Sequence, residues 1–170
     1  ELNGIVTTTP LRTAVDLGRL QSSLDMRLWG LDSMLGLGVF TFEELQAEVP
    51  RFKRQRGVVT LRVMVLLADG GAQSFGESAL RRRWLNAGLP RPRTQIPITV
   101  DGRVMFFLDM GLEDLLLAAE YDGEAWHSSD EQVAHDQERR DWLEANRAWH
   151  IEVFRGDNCF GHKQDAERRL

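Results

Sequence analysis

This 170-residue chain has one cysteine and no long apolar run. The single cysteine, Cys159, excludes an intrachain disulfide and any cysteine-rich zinc site. No apolar stretch approaches the roughly 20 residues that a membrane span needs, and no signal peptide is visible. We therefore expect a soluble cytoplasmic protein without membrane contact, large enough to bury one substantial core. Because the chain begins at Glu1 and not at a methionine, we expect it to be a piece of a longer protein.

Motifs for covalent and nucleotide-dependent catalysis are also absent. The chain has no Gly-x-Ser-x-Gly nucleophile turn, no phosphate-binding Gly-Lys-Ser/Thr loop and no dinucleotide-binding glycine pattern. Cys159 lies in a segment that contains Gly and Asn but no evident base. The sequence therefore does not support covalent catalysis.

Basic residues are outnumbered, with 21 Lys and Arg against 26 Asp and Glu and a net charge of −5. That balance argues against a nucleic-acid-binding protein, but the distribution is uneven. Between Ser78 and Val100 there is no acid, and Arg51–Arg56 forms a second basic cluster. Basic patches are compatible with phosphate backbones that approach a metal site, although a solvated face explains each patch equally well on its own. The candidates for contact with nucleic acid are Arg81, Arg82, Arg83, Arg91 and Arg93.

Two apolar runs that end on acids are the most informative feature of the chain. The run from Val104 ends on Asp109, and the run from Leu115 continues to Glu120 and Asp122. A carboxylate at the end of a buried strand must be neutralised by a proton, a cationic partner or a metal ion. Positions 109 to 124 hold six acids and no lysine or arginine. A divalent metal ion is therefore the first hypothesis for the function.

The polar stretch between the two runs predicts a hairpin with Glu113–Asp114 as a two-residue loop. In that register Asp109 faces Ala118, and Asp109, Glu120 and Asp122 all project from one face of the sheet. Diagonal neighbours have backbones roughly 7–8 Å apart, so their carboxylates can converge on one hard cation. The alternative is a surface hairpin with solvated acids near a sheet edge.

Capping signals and hydrophobic periodicity predict two parts. Residues 1–70 form a helical module, with helices expected over 10–19, 20–35 and 41–49, and Asp69–Gly71 marks the boundary. The apolar stretch 58–68 fits a buried helix or a strand, and we favour a helix. Residues 74–170 form an α/β unit in the order helix, three-stranded antiparallel meander, helix, strand. Its elements are a helix over 74–87, strands over 94–100 and 103–108, the acid-tipped hairpin, a helix over 129–145 and a strand over 149–154.

Several polar side chains occupy positions where they could take part in chemistry. Glu77 shares a helix face with core-type residues, and it is also placed to cap its own helix. Gln132, Asp136 and Arg139 form a polar stripe on the later helix, which either faces a site or forms ion pairs along the helix. His127 is a candidate general base, metal ligand or phosphate contact, although a lone loop histidine is more often structural.

These residues resemble the very-short-patch-repair-like endonuclease domain, a family of the PD-(D/E)XK restriction-endonuclease-like superfamily. The resemblance covers roughly residues 74–160, and the run Glu120-Tyr121-Asp122-Gly123 with the upstream Asp109 is its most specific part. The other matching positions are Glu77-Ser78-x-Leu80-Arg81, Trp126-His127 and Gln132-x-x-x-Asp136-x-x-Arg139. The segment Thr8–Leu17 resembles the middle region of proteins that join an abortive-infection-type antitoxin module to this nuclease domain, usually behind an N-terminal winged helix.

The resemblance implies a Mg²⁺-dependent or Mn²⁺-dependent endonuclease that hydrolyses phosphodiester bonds in DNA. Asp109 and Glu120 would ligate the ion that activates water, and Glu77 would be the supporting acid of the first helix. The superfamily's lysine, two residues past the second acid, is Asp122 here, and the chain's two lysines lie far from the motif. The third catalytic role is therefore open. Its candidates are Arg139, Gln132 and His127.

Two other functions fit the same sequence. The missing lysine and the weak basic character favour a non-catalytic DNA-binding or antitoxin-like regulator that keeps the nuclease fold. A protein-interaction domain that uses the acidic hairpin as its docking surface is the third alternative. The N-terminal module is a further candidate site for a protein partner.

Overall fold

The computed structural model describes residues 4–123, 139, 141–143, 145, 147–162 and 164–170. The chain is a mixed α/β protein that divides into two compact units, Glu1–Ala79 and Leu80–Leu170. The sequence places the boundary at residues 69–71, whereas this division falls inside a helix, Phe75–Asn86. The expected linker therefore belongs to the first unit.

The first unit is built from four helices and the start of a fifth. Thr9 accepts a hydrogen bond from the Arg12 amide, and Thr41 forms a capping box, both as the sequence predicts. The second helix begins at Leu24 and not at Leu20, because Ser23 provides its cap. The helices are α1 (Pro10–Leu20), α2 (Leu24–Gly36), α3 (Phe42–Glu48), α4 (Val58–Leu67) and α5 (Phe75–Asn86), with a 3-10 turn at Val49–Phe52.

Two glycines let the helices of the first unit pack closely. A Cβ atom on Gly30 would lie 2.7 Å from the Cβ of Leu17, and one on Gly18 would lie 2.8 Å from a methyl carbon of Leu61. Both distances are inside van der Waals contact, so the chain needs residues without a side chain here. The surrounding core includes Ala14, Val15, Leu28, Leu31, Leu45, Phe52, Leu61 and Val65.

A buried carboxylate joins three segments of the first unit. Asp32 on α2 is fully buried, and its two oxygens accept hydrogen bonds from the Asp69 amide at 2.8 Å and the Ser78 hydroxyl at 2.6 Å. The Asp69 carboxylate in turn accepts from the Gly71 amide at 2.8 Å. Such donors are needed because an unmade hydrogen bond at a buried polar group costs about 1–3 kcal/mol. The network therefore orders the segment that leads into α5.

The described residues of the second unit form a four-stranded mixed sheet in the order β1-β2-β3-β4. The strands are β1 (Arg93–Val100), β2 (Arg103–Leu112), β3 (Leu117–Tyr121) and β4 (His150–Phe154). The first three are antiparallel neighbours, whereas β4 runs parallel to β3. Parallel pairing requires a crossover connection. Residues 139, 141–143, 145 and 147 of that connection are helical, as expected for this part of the predicted 129–145 helix.

The turn between β1 and β2 follows its sequence signal. Asp101 and Gly102 have φ values of 50° and 78°, the left-handed conformation that a two-residue hairpin loop requires. This hairpin is confirmed. Strand β2, however, continues to Leu112 and does not end at Leu108.

Two apolar clusters pack on the sheet. Ala118 and Ala119 are consecutive in β3 but belong to different clusters, so both faces are covered. One cluster contains Leu80 and Trp84 of α5 with Met110, Ala119 and Phe154. The other contains Ile96, Leu108, Ala118, Leu143 and Ile151.

A C-terminal helical turn, Ala166–Arg169, contacts β4, which is the edge strand of the sheet that the described residues form. Arg169 donates to the Val153 carbonyl at 3.1 Å and to the Glu152 carboxylate at 2.6 Å. Its guanidinium lies 4.5 Å from the centre of the Phe154 ring. One side chain therefore engages three consecutive residues of this strand.

Within the part of the chain that the structure describes, no helix is long and apolar enough to cross a bilayer.

Candidate functional site

The acids of interest lie where β2 pairs with β3. The turn between these strands is Glu113–Leu116, a 3-10 turn followed by Leu116 in the left-handed conformation with φ 50°. The prediction of a two-residue loop is therefore wrong. Ala118 pairs with Gly111, whereas the sequence predicts that Ala118 faces Asp109. The register differs by two residues, an even number, so the predicted alternation of sides is kept.

Asp109 lies beside the strand that carries Glu120. Its Oδ2 atom accepts a hydrogen bond from the Tyr121 amide at 2.8 Å, and the residue is half-buried. Tyr121 directly follows Glu120 in β3. The two predicted metal ligands therefore belong to adjacent strands, one step beyond the last backbone pair, Met110 with Ala119.

Glu120 is paired with an arginine. It is 5% exposed, and its two oxygens lie 3.1 and 3.2 Å from Nη2 of Arg139, in the helical segment before β4. The Arg139 guanidinium also lies 5.4 Å from the centre of the Phe106 ring. The sequence shows no basic residue near Glu120, but the structure supplies one from an element 19 residues further along the chain.

Asp122 forms a separate ion pair. Its amide donates to the Phe154 carbonyl at 2.8 Å, and its carboxylate lies 3.0 Å from Nη2 of Arg155. No role for Arg155 was predicted from the sequence. The signal that could have found it is the parallel pairing of β3 with β4, because the residues that follow two parallel strands lie side by side. Asp122 is therefore held by a different cation from Glu120.

Glu77 takes part in a local cap at the start of α5. Its carboxylate accepts from the Gln73 amide at 2.8 Å, and its own amide donates to the Ser74 hydroxyl at 3.1 Å. This reciprocal pattern matches the structural role expected for Glu77, except that the side chain reaches Gln73 in place of Ser74. Its role as a supporting acid stays a prediction.

Three predicted residues of the site lie outside the described residues: His127, Gln132 and Asp136. Their roles as base, ligand or third catalytic group stay predictions.

The five arginines predicted to contact nucleic acid fall into two groups. Arg81, Arg82 and Arg83 on α5 are 0%, 9% and 7% exposed. Residues 78–84 are all buried, so this part of α5 is enclosed on every side and forms neither a basic surface nor a solvated face. Arg83 donates to the Cys159 carbonyl at 2.7 Å, a structural contact. Arg91 and Arg93 are exposed, and Arg93 is paired with a carboxylate.

The sequence predicts two carboxylates, Asp109 and Glu120, as the ligands of a metal ion. Among the described residues, no group of three or more His, Cys, Asp or Glu side chains is arranged to hold a metal ion. Mg²⁺ is nevertheless often bound through only one or two carboxylates, with waters and substrate phosphates completing its coordination. Asp109 and Glu120 are two carboxylates on adjacent strands, and Glu120 is already paired with Arg139.

Two curated relatives of the chain are uncharacterized proteins from two strains of Mycobacterium tuberculosis. Each is 33% identical over 138 residues, which cover 81% of this chain and 51% of the relative. The chain therefore spans about half the length of the curated relatives it matches. No protein-family model matches the chain, and no solved structure matches it at a significant level.

Proposed function

We propose that this chain is a metal-dependent nuclease that hydrolyses phosphodiester bonds in DNA, with a restriction-endonuclease-like core of the very-short-patch-repair-like kind. The observation that carries the proposal is the placement of Asp109 and Glu120 side by side on adjacent strands of a mixed sheet. The order of elements supports it as well. A helix, an antiparallel meander, a helical segment before β4 and a parallel fourth strand follow one another in the order that the resemblance leads us to expect.

In the proposed site Asp109 and Glu120 would hold a Mg²⁺ or Mn²⁺ ion, which when bound supplies an activated water and offsets the charge of the phosphate. The Tyr121 amide orients the Asp109 carboxylate. Arg139 holds the buried Glu120 carboxylate, and since a guanidinium also binds phosphate well, Arg139 is our candidate for the third catalytic role. Asp122 cannot replace the superfamily's lysine as a donor, because an ionised carboxylate only accepts hydrogen bonds.

Plasmid nicking in Mg²⁺ or Mn²⁺ tests this proposal. We expect the native chain to nick DNA only with metal, and Asp109→Asn to lower the rate by about 100-fold or more, because a ligand of the ion is removed. Asp114→Asn is the matched control, since it makes the same chemical change at an exposed position of the neighbouring turn. Nicking that persists in chelator, or that survives Asp109→Asn, would contradict the proposal.

A non-catalytic DNA-binding or antitoxin-like regulator is the second candidate. The pair between Glu120 and Arg139 favours it, because this pair neutralises the buried carboxylate without a metal ion. Isothermal titration calorimetry separates the two functions. DNA binding without any binding of Mg²⁺ or Mn²⁺ at millimolar concentration supports the regulator, whereas metal binding that is lost in Asp109→Asn supports the nuclease.

A further inference from the structure

The first unit contains a loop whose charged residues are all basic. Residues 49–68 contain no Asp or Glu, although acids exceed bases in the whole chain. Four basic residues fall within six consecutive positions of this stretch: Arg51, Lys53, Arg54 and Arg56. We call residues 51–57 the basic loop. It leads from the 3-10 turn into α4.

Three cations of the basic loop are exposed and have no carboxylate partner among the described residues: Lys53, Arg54 and Arg56. Arg51 differs, since it pairs with Glu48 at 2.8 Å. The neighbouring Arg12 and Arg19 share the carboxylate of Asp16. Burial raises the pKa of Asp16, but the hydrogen bonds from Arg19 and Arg12 outweigh burial and leave the pKa below its usual value. The uncompensated positive charge is therefore concentrated in the basic loop.

Main-chain hydrogen bonds hold the basic loop in one conformation. The Lys53 amide donates to the Pro50 carbonyl at 3.1 Å, and the Gln55 amide donates to the Phe52 carbonyl at 2.9 Å. Gly57 has φ 78°, and a Cβ atom there would lie 2.1 Å from the carbonyl oxygen of Arg19. The end of the loop therefore lies directly against α1. A residue with a Cβ atom could not take the place of Gly57 without strain.

The Phe52 side chain anchors the basic loop. It is 3% exposed, and the guanidinium groups of Arg12 and Arg19 lie 5.1 and 5.3 Å from the centre of its ring. Stacked guanidinium groups of this kind stabilise an aromatic ring. Because the loop is ordered before any ligand arrives, binding loses less conformational entropy.

The helix that follows adds charge of the same sign. α4 begins at Val58 with no side-chain cap and no acidic residue in its first turn. The N-terminus of a helix carries roughly half a positive charge, and nothing in this first turn offsets it. The basic loop and the start of α4 therefore form one region of positive potential.

We propose that the basic loop is the surface by which the first unit binds the phosphate backbone of duplex DNA, in place of the buried arginines of α5. Exposed Lys and Arg that neutralise phosphates release counterions and supply the salt-dependent part of DNA affinity. Guanidinium groups also bind phosphate oxygens in a bidentate manner. The choice of DNA among polyanions rests on the proposed nuclease function, whereas the binding itself needs no metal.

Fluorescence anisotropy with a short labelled duplex, measured in chelator, tests this inference. Lys53→Gln/Arg54→Gln should lower the slope of log K against log salt by about two and weaken binding about tenfold at low salt. Arg103→Gln/Arg168→Gln is the control, because it removes two exposed cations from the second unit and changes the net charge equally. Circular dichroism must show the same melting temperature for both, and Arg56→Gln, which is expected to lower the slope by about one, is the second variant if the first is unstable.

Two outcomes overturn the inference. Equal DNA affinity of the loop variant and the control shows that the loop does not contact the backbone. Loop-dependent binding to vesicles of phosphatidylserine and phosphatidylcholine, without binding to DNA, assigns the loop to a membrane surface. Failure of the nuclease proposal is distinguishable, because metal-dependent nicking would then be absent while loop-dependent DNA binding remains.

Discussion

At the residue scale, Glu120 combines burial with charge, and Arg139 is the group that balances it. The sequence predicts that Glu120 needs a cation, and it suggests metal because no basic residue lies nearby. The arginine comes instead from the helical segment before β4. Pairings between elements distant in sequence depend on the sheet order, which the residues around Glu120 do not encode.

Arg139→Gln should therefore destabilise the protein. It removes one partner of a nearly buried carboxylate, a loss that costs about 3–5 kcal/mol when both groups of a pair are fully buried. Because the Arg139 side chain is 22% exposed, solvent screening reduces the expected loss to about 2 kcal/mol. Urea denaturation of the native chain and the variant measures it.

The double variant Glu120→Gln/Arg139→Gln provides the decisive comparison for this pair. It should recover most of the lost free energy of unfolding, because neither charge of the pair is left buried without the other. Arg103→Gln, at an exposed position, serves as the control for loss of charge. The single variants Glu120→Gln and Arg139→Gln give the two separate losses of stability. If the loss in the double variant equals their sum, Glu120 and Arg139 do not stabilise the protein as a pair.

At the element scale, close packing between helices depends on small residues. Gly30 on α2 faces Leu17 on α1 so closely that a Cβ atom would lie 2.7 Å from the Leu17 Cβ. Helix propensity and packing therefore have opposite effects at this position. Alanine favours the helix by about 1 kcal/mol over glycine, but the approach of the two helices leaves no space for it.

Gly30→Ala should lower the free energy of unfolding by about 1–3 kcal/mol, because a fixed Cβ atom must be accommodated by moving the helices apart. Thermal and urea denaturation measure the change. Gln46→Ala on α3, an exposed helical position, should change the stability by no more than about 0.5 kcal/mol. A Gly30→Ala variant that is more stable than the native chain would show that propensity dominates and that α1 and α2 can separate freely.

Local sequence signals predict the helix caps and the first hairpin turn correctly. Contacts between distant residues and the second turn are harder to predict. The caps at Thr9 and Thr41 and the Asp101–Gly102 turn are confirmed, because each depends on contacts a few residues apart. The prediction for the loop after β2 is wrong because Leu115 and Leu116 are apolar, and apolar residues there predict a strand. Leu115 is instead 68% exposed, and Leu116 adopts a conformation that leucine rarely takes. Apolar character alone cannot show that a residue lies in a turn.

At the scale of the whole molecule, capping signals and hydrophobic periodicity predicted the order of the described elements in the second unit but not how its arginines are used. Basic composition suggested a surface around Arg81, yet this part of α5 is enclosed on every side. Burial depends on how the whole fold packs. A run of charged residues in the sequence therefore does not show whether their side chains are buried or exposed. Exposed cations without partners are found in the basic loop of the first unit instead.

A metal ion that binds the native state should stabilise the entire second unit. Saturating Mg²⁺, at about 100 times its dissociation constant, should raise the free energy of unfolding by about 2.7 kcal/mol. Differential scanning calorimetry should show a melting temperature that rises with Mg²⁺ for the native chain and for Asp114→Asn, but not for Asp109→Asn. A melting temperature that is independent of Mg²⁺ in all three would favour the regulator over the nuclease.

The contact of Arg169 with β4 has a consequence for self-association. Edge strands offer unpaired main-chain groups to other chains, and natural proteins often protect them with charged side chains. Arg169 places a positive charge on the edge strand β4 and engages one of its carbonyls. We therefore expect removal of this side chain to leave the strand more open to intermolecular β-pairing.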